Sequence, residues 1–325
     1  MKTLLGELEG PVPWIEIETR DELIAKTLHL ETVTWEDRVT YAVRYGQDAV
    51  GFSHWERFGC DVVSEGEVLG FNARIHDWAD LDDKFLMPDE IDRERLIENV
   101  RKGKEAIGDT GLALFVAHLL CMDPAMMDMG FENFCIKMYT DPALVKEILE
   151  RYTEYYAKLD ELYSSLPEID FIWIGEDIAF NSGTYLRPEQ FMDLIYPYFK
   201  RIISHIKKPW IYHSDGNIWG VMDEMLQLGM NGMHPFQPEA MDIHEAKKAI
   251  GEQVTVVGCV DLNTLGLGTP DDVEKETSTL LDRLSPGGRY ILSSSNSLAS
   301  WLKPENVIAM GQAKRRWNRE HGFEF

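Results

Sequence analysis

Apolar runs alternate with amphipathic stretches along the second half of the chain. Five of these runs are nearly continuous apolar segments, at 171–177, 209–216, 232–238, 254–261 and 289–296. Such runs are typical of strands whose two faces are both covered. The stretches between them have helical spacing, and Asp141, Thr269 and Pro304 stand where helices begin. The pattern therefore predicts at least five consecutive strand–helix units and a parallel sheet.

Each predicted strand ends in a polar cluster, and the clusters are Glu176/Asp177, His213/Asp215, His234/Gln237, Cys259/Asp261 and Ser295/Asn296. In a (β/α)8 barrel such ends converge on one mouth. An open doubly wound sheet is the alternative, and the lack of a G-x-G-x-x-G after any strand weakens it.

The first half of the chain supplies candidates for the early strands at 48–59 and 111–121, and 61–76 is predicted to be a β-hairpin insertion. We therefore predict an α/β protein with one domain over 1–325. It is a (β/α)8 TIM barrel with N-terminal decorations, in which 1–110 is the N-terminal part and 110–325 holds the core units.

Composition narrows the class of protein. The chain has 32 Lys and Arg against 56 Asp and Glu, a formal charge of -24. Phosphate groups would be repelled, so we expect no nucleic-acid partner and no anionic membrane. The four cysteines are widely spaced without a C-x-x-C pair, and no apolar run approaches the roughly 20 residues that cross a bilayer. We expect a cytoplasmic enzyme.

The strongest candidate for chemistry is the set Glu176, His213 and Asp215. Alternation along a strand places His213 and Asp215 on the same side, and Glu176 ends the preceding strand. Three such ligands can hold a catalytic metal with an open position, and the same residues can work as acid and base without one. The alternative is that they are hydrogen-bonded polar residues that merely end strands.

Further polar and aromatic side chains near the predicted strand ends are candidates for substrate binding: His54, His118, Asp177, His234, Gln237, Asn296 and Trp173. For His54 and His118 the favoured alternative is a buried packing role. Cys259 is interpreted as a small buried hydrophobe. The methionine-rich run 121–131 suits a pocket, core filling or a subunit contact, which leaves a homodimer possible.

The segments 171–208, 210–251, 254–276 and 285–310, taken in this order, resemble the uroporphyrinogen decarboxylase superfamily over about 110–320. The resemblance implies a (β/α)8 barrel with the active site at its C-terminal mouth. One chemistry in that superfamily is porphyrinogen decarboxylation, which uses an arginine-rich segment near the N-terminus. Residues 1–50 contain only Arg20, Arg38 and Arg44, and the MRQAGRY-like segment is missing.

The other chemistry is methyl transfer to or from a corrinoid protein, with zinc held by His-x-Cys and a later Cys. Here those positions are His213-Ser-Asp215 and Asn296. The resemblance thus implies a zinc site of oxygen and nitrogen ligands, formed by Glu176, His213 and Asp215. Such a site suits an ether oxygen better than a thiol.

The sequence hypothesis is a methyltransferase that takes a methyl group from a small methylated donor, an aromatic methyl ether, by O-demethylation. The acceptor is the cobalt of a corrinoid on a partner protein, because the chain has no corrinoid-binding D-x-H-x-x-G stretch. Two alternatives remain open. A decarboxylase of a small or cyclic acid would need a cationic clamp, for which Arg57 and Arg74 are candidates. The other is a non-catalytic binding barrel.

Overall fold

The strands of the computed structural model, which describes residues 1–6, 10–65 and 68–323, form one large parallel sheet and two small hairpins. They are β1 (Ala49–His54), β2 (Cys60–Glu65), β3 (Val68–Ala73), β4 (Ala113–His118), β5 (Phe171–Gly175), β6 (Ala179–Phe180), β7 (Gly183–Thr184), β8 (Trp210–His213), β9 (Gly232–His234), β10 (Thr255–Val257) and β11 (Tyr290–Ile291). The parallel sheet has the order β1-β4-β5-β8-β9-β10-β11.

A short extended segment near the N-terminus, residues 13–19, closes this sheet into a barrel, and we call it the closing segment. On one side Ile15 N donates to Leu292 O at 3.1 Å, and Leu292 N donates to Pro13 O at 2.9 Å. On the other side Asp48 N donates to Trp14 O at 2.7 Å. The predicted (β/α)8 architecture is therefore confirmed. The sequence analysis assigned no strand here, since the segment is short and contains acidic residues.

Helices follow the strands of the parallel sheet, and further helices lie in the N-terminal part. They are α1 (Asp21–Leu28), α2 (Trp35–Tyr45), α3 (Trp78–Lys84), α4 (Arg93–Ile107), α5 (Met122–Met129), α6 (Phe131–Thr140), α7 (Pro142–Ser165), α8 (Pro188–Leu194), α9 (Tyr196–Ile203), α10 (Met222–Leu226), α11 (Ile243–Ile250), α12 (Leu262–Leu267), α13 (Pro270–Leu284) and α14 (Pro304–Glu320). A 3₁₀ turn, Trp219–Val221, precedes α10.

The predicted helix starts are confirmed: α14 begins at Pro304, and the other two starts have side-chain caps. Asp141 accepts the Leu144 amide proton at the start of α7, and Thr269 forms a capping box with Asp272 on α13. The stretch between the runs at 171–177 and 209–216 has helical spacing, and the structure divides it into two helices, α8 and α9. The division falls at Pro197, whose missing N–H and ring interrupt a continuous helix.

Alternation along the strands sorts their side chains into two layers. One buried cluster contains Ala117, Trp173 and Ile211 and fills the barrel interior. Their neighbours Val116, Ile172 and Tyr212 belong to a second cluster, packed between the barrel and its helices. Leu4 also belongs to the interior cluster, and the Thr255 hydroxyl donates to Thr3 O at 3.0 Å. The N-terminal residues therefore pack against the barrel interior.

The predicted hairpin insertion is present as β2 and β3, which pair antiparallel with Cys60 opposite Ala73. Residues 66 and 67 of the predicted hairpin lie outside the described residues. Among the helices that the structure describes, none combines the length and apolar character that a bilayer span requires.

Candidate active site at the barrel mouth

Three side chains from two adjacent strand ends meet at the mouth, and we call Asp177, His213 and Asp215 the acid–histidine cluster. His213 Nε2 lies 3.8 Å from Asp177 Oδ1 and 3.8 Å from Asp215 Oδ1. One ligand atom from each residue lies within 4.8 Å of the others. The register of β5 and β8 explains this, because Gly175 pairs with His213 and alternation then aims Asp177 and Asp215 to the same side.

Glu176, which the sequence analysis named as the third ligand, is placed differently. Its carboxylate accepts the backbone amide protons of Leu120 at 2.8 Å, Met122 at 2.6 Å and Asp123 at 2.9 Å. Alternation along the strand points the Glu176 side chain to the same side as Ile172 and Ile174, which pack outside the barrel. The structure therefore puts Asp177 where Glu176 was expected, and Glu176 anchors the start of α5.

The Asp215 carboxylate has one satisfied and one unsatisfied oxygen. Oδ2 accepts a proton from the Asn296 side-chain amide at 2.7 Å, whereas Oδ1 is buried and has no hydrogen-bond partner among the described residues. Burial raises the Asp215 pKa to about 6, against the opposing effect of His213. A buried oxygen without a donor, facing an imidazole nitrogen, is a position that a cation would occupy.

His213 is oriented by His234, its register partner on β9, and their Nδ1 atoms lie 2.7 Å apart. Burial, followed by the nearby His213, lowers the His234 pKa well below its usual value, so this ring is neutral. Its Nε2 lies 3.1 Å from Ser294 O, which can only accept, so Nε2 carries the proton and Nδ1 accepts. His213 must then donate through Nδ1, which leaves Nε2 to face the two carboxylates.

A chain of hydrogen bonds continues behind His234. The Ser293 hydroxyl oxygen lies 3.2 Å from His234 Nε2, and this hydroxyl donates to Glu16 Oε2 at 3.1 Å. Glu16 belongs to the closing segment and also accepts the Trp14 indole proton at 2.5 Å. Burial raises the Glu16 pKa to about 7. Neither Glu16 nor Ser293 was singled out from the sequence, since nothing local marks the closing segment.

Asp123 is a further acid at the mouth that sequence analysis did not single out. Burial raises its pKa to about 7, the Asp177 and Asp215 charges act in the same direction, and Arg57 opposes them. Asp123 lies in the first turn of α5, where its amide is held by Glu176. Its position soon after the C-terminal end of β4 is a signal that could have identified it.

Gln237 and Asn296, both predicted to line the pocket, lie beside the cluster. Gln237 Oε1 accepts the Gly216 amide proton at 2.9 Å, and Asn296 contacts Asp215 as described above. Trp173 is fully buried in the barrel interior, with its ring 5.2 Å from that of His234 in a T-shaped arrangement. It lies beneath the site and packs against His234.

His54 and His118 are not brought to the cluster, because both have outward parity on their strands. His118 Nε2 lies 2.8 Å from Asp160 Oδ1, and its Nδ1 lies 2.8 Å from Leu119 O. His54 Nε2 lies 2.8 Å from the Tyr155 hydroxyl, and burial lowers the His54 pKa to about 3. Both histidines pack against α7, which is the packing role left open by the sequence.

The two arginines considered for a carboxylate clamp have other contacts, although Arg57 is close enough to the mouth for its charge to act on Asp123. Arg57 donates to Trp55 O at 3.2 Å and lies 4.6 Å from the Phe71 ring centroid. Arg74 lies 3.6 Å from Asp61 Oδ1. Cys259 is buried, and burial raises its pKa strongly, so it is not a thiolate. Cys259 is therefore not a metal ligand at the mouth, where the charged groups of the cluster are carboxylates.

Comparison with known proteins identifies the family to which this barrel belongs. The chain belongs to the uroporphyrinogen decarboxylase (URO-D) family, whose model matches residues 54–317. A uroporphyrinogen decarboxylase of Methylococcus capsulatus is 24% identical over 264 residues, which cover 77% of this chain and 72% of that protein. One from Dechloromonas aromatica is 23% identical over 131 residues, 38% of this chain and 36% of that protein.

Among solved structures, a methyltransferase from Methanosarcina mazei superposes with a TM-score of 0.75 and 17% identity, covering 97% of each chain. A B12-independent methionine synthase from Shewanella has a TM-score of 0.54 at 13% identity, covering 96% of this chain and 97% of that one. At these identities the likeness concerns the fold, and it agrees with the barrel described above.

Proposed function

We propose that this URO-D family member is a methyltransferase. It moves a methyl group from a small methylated donor, an aromatic methyl ether, to the cobalt of a corrinoid carried by a partner protein. The observation that carries the proposal is the acid–histidine cluster at the mouth, with one nitrogen and two oxygen ligand atoms within 4.8 Å of one another.

The donor set fits zinc. Asp177, His213 and Asp215 would supply three ligands, and a catalytic zinc site uses three protein ligands with one open position. The unsatisfied Asp215 Oδ1 and the Nε2 of His213 are the atoms left available for such an ion. These residues would hold zinc as a Lewis acid, whose chemistry there would be to draw electrons from the ether oxygen and so make the phenolate a better leaving group.

The transfer balances without an additional reactant. The methyl carbon would lose its bond to the ether oxygen, whose electron pair stays on the phenolate. Co(I) of the partner's corrinoid would supply the electron pair of the new cobalt–carbon bond and become formally Co(III). His234 keeps His213 oriented for its ligand role, and Asn296 holds Asp215 in place. The function of these residues is to position the site before the donor arrives.

The charge at the mouth disfavours the decarboxylase alternative. Asp177 and Asp215 lie close enough to Asp123 for their negative charges to raise its pKa, and the positive charge of Arg57 opposes this effect. A carboxylate substrate would need a cationic clamp, and this neighbourhood repels it.

The test uses the zinc-loaded protein, free cob(I)alamin under strictly reducing conditions and a panel of methoxylated aromatics. We expect methylcobalamin absorbance to develop with at least one donor, and His213→Ala to slow it by about 100-fold or more. His76→Ala, which changes an exposed histidine, is the control and should retain the wild-type rate. Zinc binding without methylcobalamin from any donor would refute the methyltransferase and leave the binding barrel.

A further inference from the structure

A large cavity passes through the barrel wall beside the closing segment, and we call it the wall slot. Its volume is about 840 Å³. On the β11 side, the closing segment pairs with the chain as far as Thr19, which forms a β-bridge with Leu298. On the β1 side, the described residues show one backbone hydrogen bond to the closing segment, from Asp48 N to Trp14 O. Because the closing segment is paired on one side only beyond Trp14, the wall stays open between it and β1.

The lining shows that the wall slot reaches from the outer layer to the interior. Ile17 and Phe115 belong to the interior cluster, whereas Trp35 and Phe52 pack with the outer layer. Trp55 also lines the wall slot. Its ring packs closely against Gly175, where an added Cβ would lie 3.0 Å from it. The volume suits a small organic molecule, and four of these side chains offer aromatic faces.

The charged groups of the wall slot are unequally paired. Its three basic side chains each have a carboxylate partner: Arg38 with Asp21 at 2.8 Å, Arg20 with Glu18 at 3.2 Å and Lys102 with Glu98 at 3.8 Å. In the part of the chain that the structure describes, the lining residues Glu22, Glu36 and Glu105 have no ion-pair partner. The wall slot therefore carries uncompensated negative charge.

We propose that the wall slot is a binding site for a small organic cation of the alkylammonium class, held against the indole ring of Trp55 and neutralised by the unpaired carboxylates. An ammonium group is attracted to the negative face of an indole ring, and the attraction grows when the site excludes water. An anion of the same size meets carboxylates instead. The proposal concerns binding alone and does not depend on methyl transfer.

The experiment compares three probes of nearly equal shape by calorimetry and tryptophan fluorescence: choline, the neutral 3,3-dimethylbutan-1-ol and the anionic 3,3-dimethylbutanoate. We expect choline to bind at least about tenfold more tightly than the neutral probe, and the anion not to bind. Full-length protein without added metal or corrinoid suffices, so failure of the methyltransferase proposal leaves this test unaffected.

Matched variants locate the binding. Trp55→Leu should weaken choline by about tenfold and Glu36→Gln by about threefold. Trp219→Leu and Glu305→Gln, at an exposed tryptophan and an exposed glutamate outside the lining, should change it less than twofold. Ser53→Phe, which fills the wall slot from β1, is a second blocking variant in case Trp55→Leu does not fold. No choline binding, equal binding of the neutral probe, or unchanged binding in both Trp55→Leu and Ser53→Phe would overturn the proposal.

Discussion

The Nδ1 atoms of His213 and His234 lie 2.7 Å apart across two adjacent parallel strands. The backbone oxygen of Ser294, 3.1 Å from the far nitrogen of His234, determines which ring donates in this contact. The Ser294 oxygen keeps the proton of His234 on Nε2, so His213 must donate to His234 through Nδ1. His213 Nε2 is thereby left facing Asp177 and Asp215.

The orientation of His213 can be read by nitrogen NMR. In the metal-free protein we expect the ¹⁵N shifts of His213 to show a proton on Nδ1. His234→Phe removes the acceptor, so this signature should be lost and zinc affinity should fall by about 10- to 100-fold. His234→Gln offers a carbonyl acceptor and should restore part of both. A wild-type spectrum with the sole proton of His213 on Nε2 would contradict the hydrogen-bond assignment.

The choice between Asp177 and Glu176 as a zinc ligand has a direct test. Asp177→Asn removes a charged ligand oxygen, so we expect zinc retention after dialysis, measured by elemental analysis, to drop substantially. Glu176→Gln should keep its zinc but lower the free energy of unfolding by about 1–3 kcal/mol, because three amide donors lose a charged acceptor. Loss of zinc in Glu176→Gln with retention in Asp177→Asn would reverse the assignment.

Glu16 should make stability fall as the pH rises. Its pKa is about 7 in the folded chain against 4.5 ordinarily, so the native state binds the proton more tightly than the unfolded chain between these values. The free energy of unfolding therefore decreases from about pH 4.5 to about pH 7, by roughly 3 kcal/mol from this group. Across this range, urea titrations of Glu16→Gln should show a free energy of unfolding that falls less, or rises more, with pH than that of the wild type.

His54 supplies the opposite sign for comparison. Its pKa is lowered from 6.5 to about 3, so its contribution to stability is complete above 6.5 and is lost as the pH falls. That loss should persist in Glu16→Gln, since His54 is unchanged. An unaltered slope between pH 4.5 and 7 in Glu16→Gln would show that Glu16 is ionised in the native state.

Gly216, directly after Asp215, is expected to tolerate no side chain. Its φ is +83°, and an added Cβ would lie 2.5 Å from Ala179 O. Gly229 has nearly the same φ, +85°, but no atom within 4 Å of an added Cβ. Gly229→Ala should therefore cost about 1–2 kcal/mol of unfolding free energy from backbone strain alone.

Gly216→Ala should cost more than Gly229→Ala, because the backbone oxygens must also move. It should weaken zinc binding as well, since Asp215 lies on the same turn. Equal destabilisation of the two variants in urea unfolding would mean that the turn around Gly216 adapts without strain.

Periodicity and end signals determined most of the barrel from the sequence alone. The seven strands of the parallel sheet lie in the five apolar runs of the second half and the two early runs. The polar groups that follow these runs lie at the ends of the strands. These features are local, because burial on both faces of a strand requires apolar residues in succession and caps satisfy free backbone groups. His213 and Asp215 were grouped by the same local rule.

The tertiary structure decided which parity faces the barrel interior, and with it the identity of the site. When a strand is apolar on both faces, its sequence does not show which side chains point into the barrel. The sequence therefore could not tell that Asp177 points inward and Glu176 outward, or that His54 and His118 point outward. The closing segment and its Glu16 were also invisible, since its strand character comes from pairing with residues near 292 and with Asp48, far apart in the chain. Local patterns specify elements, whereas register and closure depend on contacts that form only when the whole sheet curls.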